Sequence, residues 1–221
     1  MRDKGEAVAD AAGFVLAGGR SSRMGTDKAM VQFRGEPLVV HALRILKEAG
    51  LSASIAGARA SLERFAPVVQ DRESDRGPLG GICSALASSD CRYAVFIPVD
   101  LPLMPGLLLS HLLDAARRAG AAVTLSSLRG FAQTFPVVLD RAILPHLRTE
   151  FEAGRGGCFT AFQSVAGAAG QAPLILAAES IVLADSSGNS HSPPPEVWFL
   201  NLNSPAELET AEAYSAQNRV S

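Results

Sequence analysis

The chain of 221 residues is short of several things, and each shortage closes off a class of function. It has only three cysteines, Cys83, Cys91 and Cys158. Their number is odd and none stands in a metal-ligand or CxxC spacing, so neither a disulfide framework nor a zinc site is supported. They read as ordinary thiols of a reducing compartment. Net charge is nearly absent as well: 20 Lys and Arg against 22 Asp and Glu leave −2. No basic stripe of the kind that displaces counterions from nucleic acid or docks on anionic lipid stands out, so nucleic acid is not an expected partner. No run approaches the roughly 18 to 20 uninterrupted apolar residues of a membrane span. The first dozen residues mix Arg2 and Lys4 with Asp3, Glu6 and Asp10, and the next apolar run breaks at Gly18 and Gly19, which is not a signal peptide. The expectation is a cytoplasmic protein with no membrane partner. The histidines His41, His111, His146 and His191 have neither metal spacing nor a partnered nucleophile, and read as structural or surface residues.

What is present is the makings of a core, with 48% hydrophobic residues against 19% charged. Short apolar runs alternate with helix-period segments, the pattern of a sheet covered by helices on both faces, so the fold class is α/β. Strands are expected at 14–17, 52–56, 67–69, 93–99, 123–126, 134–139 and 174–177, the last an edge strand. A final strand is expected at 197–202, with Asn201 and Asn203 at its end. Helices are expected at 37–49, 79–87, 105–119, 141–147 and 158–165. Ser204-Pro-Ala-Glu207 has the form of a capping box with proline in the first turn, so a helix should run from there to about Ala216. Asp100 stands at the carboxyl end of an apolar strand, where ligands collect in open α/β sheets.

The segment Leu16-Ala-Gly-Gly-Arg-Ser-Ser-Arg-Met-Gly-Thr-Asp-Lys28 follows the first strand directly. Its glycines free the backbone to approach a ligand and aim N–H groups at phosphate oxygens, while Arg20, Arg23 and Lys28 add mobile positive charge. This is a polyphosphate cradle by composition. It has neither the Walker spacing GxxxxGK[ST] nor the dinucleotide GxGxxG, which removes the main support for a P-loop ATPase or a dehydrogenase. A loop that merely turns the chain has no need of two arginines, a lysine and three glycines together.

The run LAGGRSSRMGTDKA resembles the signature loop of the nucleotidyltransferase superfamily, and its Ala-Gly-Gly opening and closing Asp-Lys are most similar to the molybdenum cofactor guanylyltransferases, the MobA family. Further likenesses follow in order: Asp71 ahead of Gly77-Pro-Leu-Gly-Gly81, Phe96-Ile-Pro-Val-Asp100-Leu-Pro102, and Phe199-Leu-Asn-Leu-Asn-Ser-Pro205. The resemblance spans about residues 14 to 214. It implies a three-layer α/β/α Rossmann-like fold with a mixed, mostly parallel sheet, and residues 1–221 as one nucleotidyltransferase domain. In that domain the N-terminal half binds nucleotide, the C-terminal half binds the acceptor, and 1–12 and 216–221 are flexible. By the same resemblance Leu16, Ala17, Gly18 and Gly19 lie against the guanine nucleotide, Lys28 contacts its phosphates, Asp71 the guanosine, and Asp100 ligates Mg²⁺. Asp75 competes with Asp71 for the pocket. Asn201 and Asn203 could face the acceptor phosphate or the metal's water shell, and Gln133 to Pro136 resembles a segment on the acceptor side. The chain departs from some members in reading Ala56-Gly-Ala-Arg59 where they carry an Asn.

The activity so implied is transfer of GMP from GTP to the phosphate of molybdopterin, or Mo-molybdopterin, with release of pyrophosphate. Lys28, Arg23 and Asp100 are the catalytic candidates. Cofactor-delivery proteins and apo-molybdoenzymes are the expected macromolecular partners. The rival readings are a cytidylyltransferase acting on the same pterin, a sugar-phosphate nucleotidyltransferase, and a nucleotide binder that transfers nothing.

Overall fold

The computed structural model describes residues 10–17, 27–57, 60–71, 77–154, 157–184 and 193–217. Among the described residues nine strands run in chain order as β1 (Ala11–Leu16), β2 (Gln32–Phe33), β3 (Glu36–Pro37), β4 (Ser52–Ala56), β5 (Val68–Val69), β6 (Tyr93–Pro98), β7 (Val123–Leu128), β8 (Phe131–Asp140) and β9 (Leu174–Ala177). Between and after them stand α1 (Leu38–Glu48), α2 (Pro78–Ser88), α3 (Gly106–Ala119), α4 (Leu144–Ala153), α5 (Cys158–Ala168), α6 (Ala178–Ala184), α7 (Pro195–Trp198) and α8 (Pro205–Gln217).

Seven of these strands form one sheet in the order β5-β4-β1-β6-β8-β7-β9. The pairs β5/β4, β4/β1, β1/β6 and β7/β9 are parallel, whereas β8 runs antiparallel to both β6 and β7. The sheet is therefore mixed and mostly parallel, as expected. The residues of β1 alternate between two cores: Ala11 and Val15 pack with Leu38, Ile45, Leu108 and Leu112 of α1 and α3, while Ala12, Phe14 and Leu16 pack with Ile82, Leu86 and Phe162 of α2 and α5. Strand β6 divides in the same way, Tyr93, Val95 and Ile97 to one side and Ala94 and Phe96 to the other. A sheet apolar on both faces needs a cover on both, and helices supply it, giving three layers.

The final strand expected at 197–202 is not there, because Pro195 to Trp198 is a short helix and the chain then runs on without pairing. Proline at the first helical position and Glu196 in the first turn favour a helical start. Trp198 is fully buried, and its indole N–H donates to the Pro193 carbonyl at 2.5 Å. The sheet also offers no place: β6 already has β1 on one side and β8 on the other, so the segment crosses above the strand end and ties to it through the Leu202 N–H, which donates to the Asp100 carbonyl at 3.0 Å. The small hairpin of β2 and β3 and the helix α6 were also not expected. Among the described residues no helix is long and apolar enough to cross a membrane.

Candidate active site

Strands β5, β4, β1 and β6 are mutually parallel, so Asp71, Gly57, Ala17 and Asp100 all emerge at one edge of the sheet, the carboxyl edge. The connection runs outward in opposite directions from β1, to β4 on one side and β6 on the other, which makes the space above β1 and β6 the topological switch point. The N–H of Ala17 donates to the Ala56 carbonyl at 3.1 Å and that of Gly57 to the Val69 carbonyl at 3.1 Å, extending the ladder one residue past the strands and fixing where the loops leave.

Lys28 begins a single 3₁₀ turn, Lys28–Met30, whose N-cap is Asp27; the Asp27 carboxylate accepts from the Ala29 N–H at 3.1 Å. Ala29 is buried and anchors the turn against α1, so the lysine side chain is delivered from a fixed backbone. Its ammonium donates to Asp100 Oδ2 at 2.5 Å and to Asn203 Oδ1 at 2.5 Å. The pair is mostly sheltered, with side-chain exposures of 21% for Lys28 and 16% for Asp100. The second carboxylate oxygen, Asp100 Oδ1, is buried and accepts no hydrogen bond among the described residues. An anionic oxygen left in that state is costly unless something else meets it.

Asn203 is held from behind. Glu207, in the first turn of α8, accepts the Asn203 N–H at 2.7 Å and the Ser204 hydroxyl at 3.0 Å, and Ser204 Oγ in turn accepts the Glu207 N–H at 3.3 Å. These bonds, with a lesser contribution from the Lys28 charge, hold the Glu207 carboxyl below the ordinary carboxylate range. The capping box is thus present in an extended form, with the glutamate reaching the backbone of the residue before the capping serine as well as the serine itself. Asn201 does not join the site; its amide turns back to the Phe199 carbonyl at 3.4 Å.

Asp71 lies along the same edge, beside the first turn of α2. A Cβ placed on Gly80 would stand 2.8 Å and 3.0 Å from its carboxylate oxygens, so only glycine permits this approach. The carboxylate opens on a cavity of about 580 Å³ between α2 and α4, which Ser84, Arg148 and Glu152 also line. Gly18, Gly19, Arg20, Arg23 and Asp75 lie outside the described residues, as does His191. Leu16 and Ala17 end β1, buried at the floor of the site. Gln133 lies on β8, with its amide bonded to the Phe131 carbonyl at 3.0 Å. His41 is buried and bonded to the Phe33 carbonyl at 2.8 Å, and His111 to the Leu107 carbonyl at 3.0 Å, both structural contacts. Among the described residues no cluster of three His, Cys, Asp or Glu could cage a metal, and burial pushes the Cys158 thiol up to about 12, making it inert. Sequence reasoning missed Glu207, which it read only as a helix-start signal.

The mostly parallel sheet with helices on both faces is a fold shared with solved nucleotidyltransferases. A protein from Archaeoglobus fulgidus described as molybdopterin-guanine dinucleotide biosynthesis protein A superposes with a TM-score of 0.73 over 93% of this chain and 99% of that one, at 19% identity. A Mycobacterium tuberculosis protein solved in complex with manganese superposes with a TM-score of 0.56 over 76% and 88%, also at 19% identity. At such identities the likeness establishes the fold. The family model for the MobA-like NTP transferase domain matches residues 13–168, and the chain belongs to that family. Among curated relatives, the molybdenum cofactor guanylyltransferase of Xanthomonas euvesicatoria is 43% identical over 103 residues, 46% of this chain and 52% of that protein. The one from Pseudomonas entomophila is 35% identical over 147 residues, 64% of this chain and 76% of that protein. The chain thus spans about half the length of the first of these relatives and three quarters of the second.

Proposed function

We propose that this protein transfers GMP from GTP to the terminal phosphate of molybdopterin, or of Mo-molybdopterin, and releases pyrophosphate in the cytoplasm. The observation that carries this reading is the meeting of Lys28 with a half-satisfied Asp100 carboxylate at the switch point, in a chain of the MobA-like family. The relatives' names supply the nucleotide and the acceptor.

The site fits a divalent cation, Mg²⁺ in our reading. Asp100 Oδ1 is a buried anionic oxygen with no donor among the described residues, a hard ligand of the type magnesium prefers, and Asn203 adds a neutral oxygen close by. When bound, the ion would neutralise phosphate charge as it develops. Asp100 is the residue that holds it.

The reaction is an in-line displacement. An oxygen of the acceptor phosphate bonds to the α-phosphorus of GTP, the bond from that phosphorus to the α,β-bridging oxygen breaks, and the electron pair leaves with pyrophosphate. No protein nucleophile is required. Lys28 and Arg23 act by binding phosphate oxygens whose charge rises in the transition state, and their worth lies in preorganisation. Lys28 exchanges its contact with Asp100 for the phosphates when the triphosphate enters. Leu16, Ala17, Gly18 and Gly19 contact the nucleotide, and Asp71 meets the guanosine. Residues of the C-terminal half, with the Gln133 to Pro136 segment on β8, face the acceptor. Cofactor-delivery proteins and apo-molybdoenzymes are the partners this product calls for.

The reading is tested by product mass: purified protein with Mg²⁺, GTP and molybdopterin should yield the guanylated pterin. Unchanged pterin beside intact GTP would refute it.

A further inference from the structure

Two residues distant in sequence from Lys28 and from each other converge on its ammonium group. Lys28 Nζ donates to Asp100 Oδ2 and Asn203 Oδ1, each at 2.5 Å. The Asn203 side chain is exposed and meets Lys28 from the solvent side. Its backbone, by contrast, is pinned twice over: the Asn203 N–H donates to Glu207 Oε2 at 2.7 Å, and the preceding residue, Leu202, is buried and donates to the Asp100 carbonyl at 3.0 Å. An Asn at the end of an unpaired crossing segment would otherwise sample many backbone conformations, and its amide oxygen would reach Lys28 in few of them.

From this juxtaposition we infer that Glu207 is a positioning residue of the transfer site: its carboxylate holds the Asn203 backbone so that the Asn203 amide oxygen keeps the Lys28 ammonium aimed at the phosphate subsite. The bond to the Ser204 hydroxyl, at 3.0 Å, fixes the carboxylate rotamer, so one glutamate both starts α8 and supports the site. What Glu207 supplies is an acceptor at a fixed place. Its carboxyl is held toward the ionised form by the Asn203 N–H first and the Ser204 hydroxyl second, with Lys28 contributing less. The inference rests on the nucleotidyltransferase reading for its effect on turnover, and on geometry alone for its effect on Lys28.

Two measurements test it. The first is the rate at which an amine-reactive acetylating reagent labels Lys28 in the nucleotide-free protein, followed by peptide mass. In Glu207→Ala the rate should rise several-fold, and in Glu207→Gln, which retains an acceptor oxygen, it should stay close to wild type. The second is steady-state transfer with GTP and molybdopterin. Glu207→Ala and Asn203→Ala should each lower kcat about tenfold with little change in KM for GTP, and the double variant should be no worse than the poorer single one, since both remove the same support. Unaltered Lys28 labelling in Glu207→Ala, losses that multiply in the double variant, or a Gln variant as impaired as the Ala variant would each overturn the inference. Absence of turnover in wild type with every nucleoside triphosphate would instead overturn the transfer reading, while the labelling result would still decide the role of Glu207.

Discussion

Lys28 and Asp100 are 72 residues apart in the chain and 2.5 Å apart in the fold. In the proposed reaction both charges act on a metal–triphosphate complex, and in the nucleotide-free protein they neutralise one another. The pair keeps two charges compatible with a sheltered site, and it also sets a competition: whatever binds Asp100 must displace Lys28 or share the carboxylate with it.

That competition has a measurable consequence. Removing the ammonium in Lys28→Ala should tighten binding of Mn²⁺ to the nucleotide-free protein, by on the order of tenfold once solvent screening of a partly exposed pair is allowed for. Titration by the paramagnetic effect on water relaxation reads this directly. In the same variant kcat should fall on the order of 10²-fold, the scale of one preorganised donor to a developing anion. Full turnover would remove Lys28 from the transition state.

Asp100→Asn keeps the shape and one acceptor but loses the charge that would hold the cation. The concentration of Mg²⁺ needed for half-maximal turnover should rise by roughly tenfold or more. An unchanged magnesium titration would place the metal elsewhere.

Gly80→Ala separates stability from binding. The added methyl would press on the Asp71 carboxylate at 2.8 Å, so the carboxylate must turn away, while alanine is the better helix former. KM for GTP should rise several-fold with a melting temperature that hardly moves. A normal KM would argue that Asp71 does not meet the nucleoside.

How far the sequence foretold this arrangement differs from part to part. Strands 52–56 and 174–177 are found at their expected bounds, because short β-rich runs between turn signals have few alternatives. Lys28 was legible from the basic glycine-rich loop and Asp100 from its place at a strand end, whereas Asp71 was legible only through the family resemblance. The last segment was misread: Val197 to Leu202 is apolar enough for a strand, and beside the helical start at Pro195 the filled neighbours of β6 and the burial of Trp198 decide against it, the latter two being tertiary facts. Asn203 was legible only as an open choice and Glu207 only as a cap, since their joint reach to Lys28 depends on where a non-paired segment crosses the sheet.

Two glycines in helices make a contrasting stability pair. At Gly106 an added Cβ would lie 2.7 Å from Glu48 Cβ and 3.0 Å from the Ala49 nitrogen and Ile45 oxygen, so α3 could not approach the end of α1. Gly106→Ala should cost about 1–3 kcal/mol. Gly167 in α5 is exposed with nothing within 4 Å, and Gly167→Ala should gain about 0.5–1 kcal/mol. Chemical denaturation of the two variants checks both signs.

Acid should weaken the fold partly through His41. Desolvation lowers its folded pKa below the ordinary 6.5, outweighing the bond to the Phe33 carbonyl that raises it. The unfolded chain then binds the proton more readily than the folded one. The stabilisation is complete above the unfolded value of 6.5 and is lost as pH falls from there through the lowered folded value. His41→Gln should flatten the slope of stability against pH in that window, as read by denaturant midpoints.

The most direct measurement is pyrophosphate release from each of the four nucleoside triphosphates in the presence of Mg²⁺ and molybdopterin, with the mass of the pterin product followed alongside. The account predicts release with GTP and a guanylated pterin. Release with CTP in place of GTP would contradict the base assignment while leaving the displacement intact, and nucleotide binding without any pyrophosphate would contradict the transfer itself.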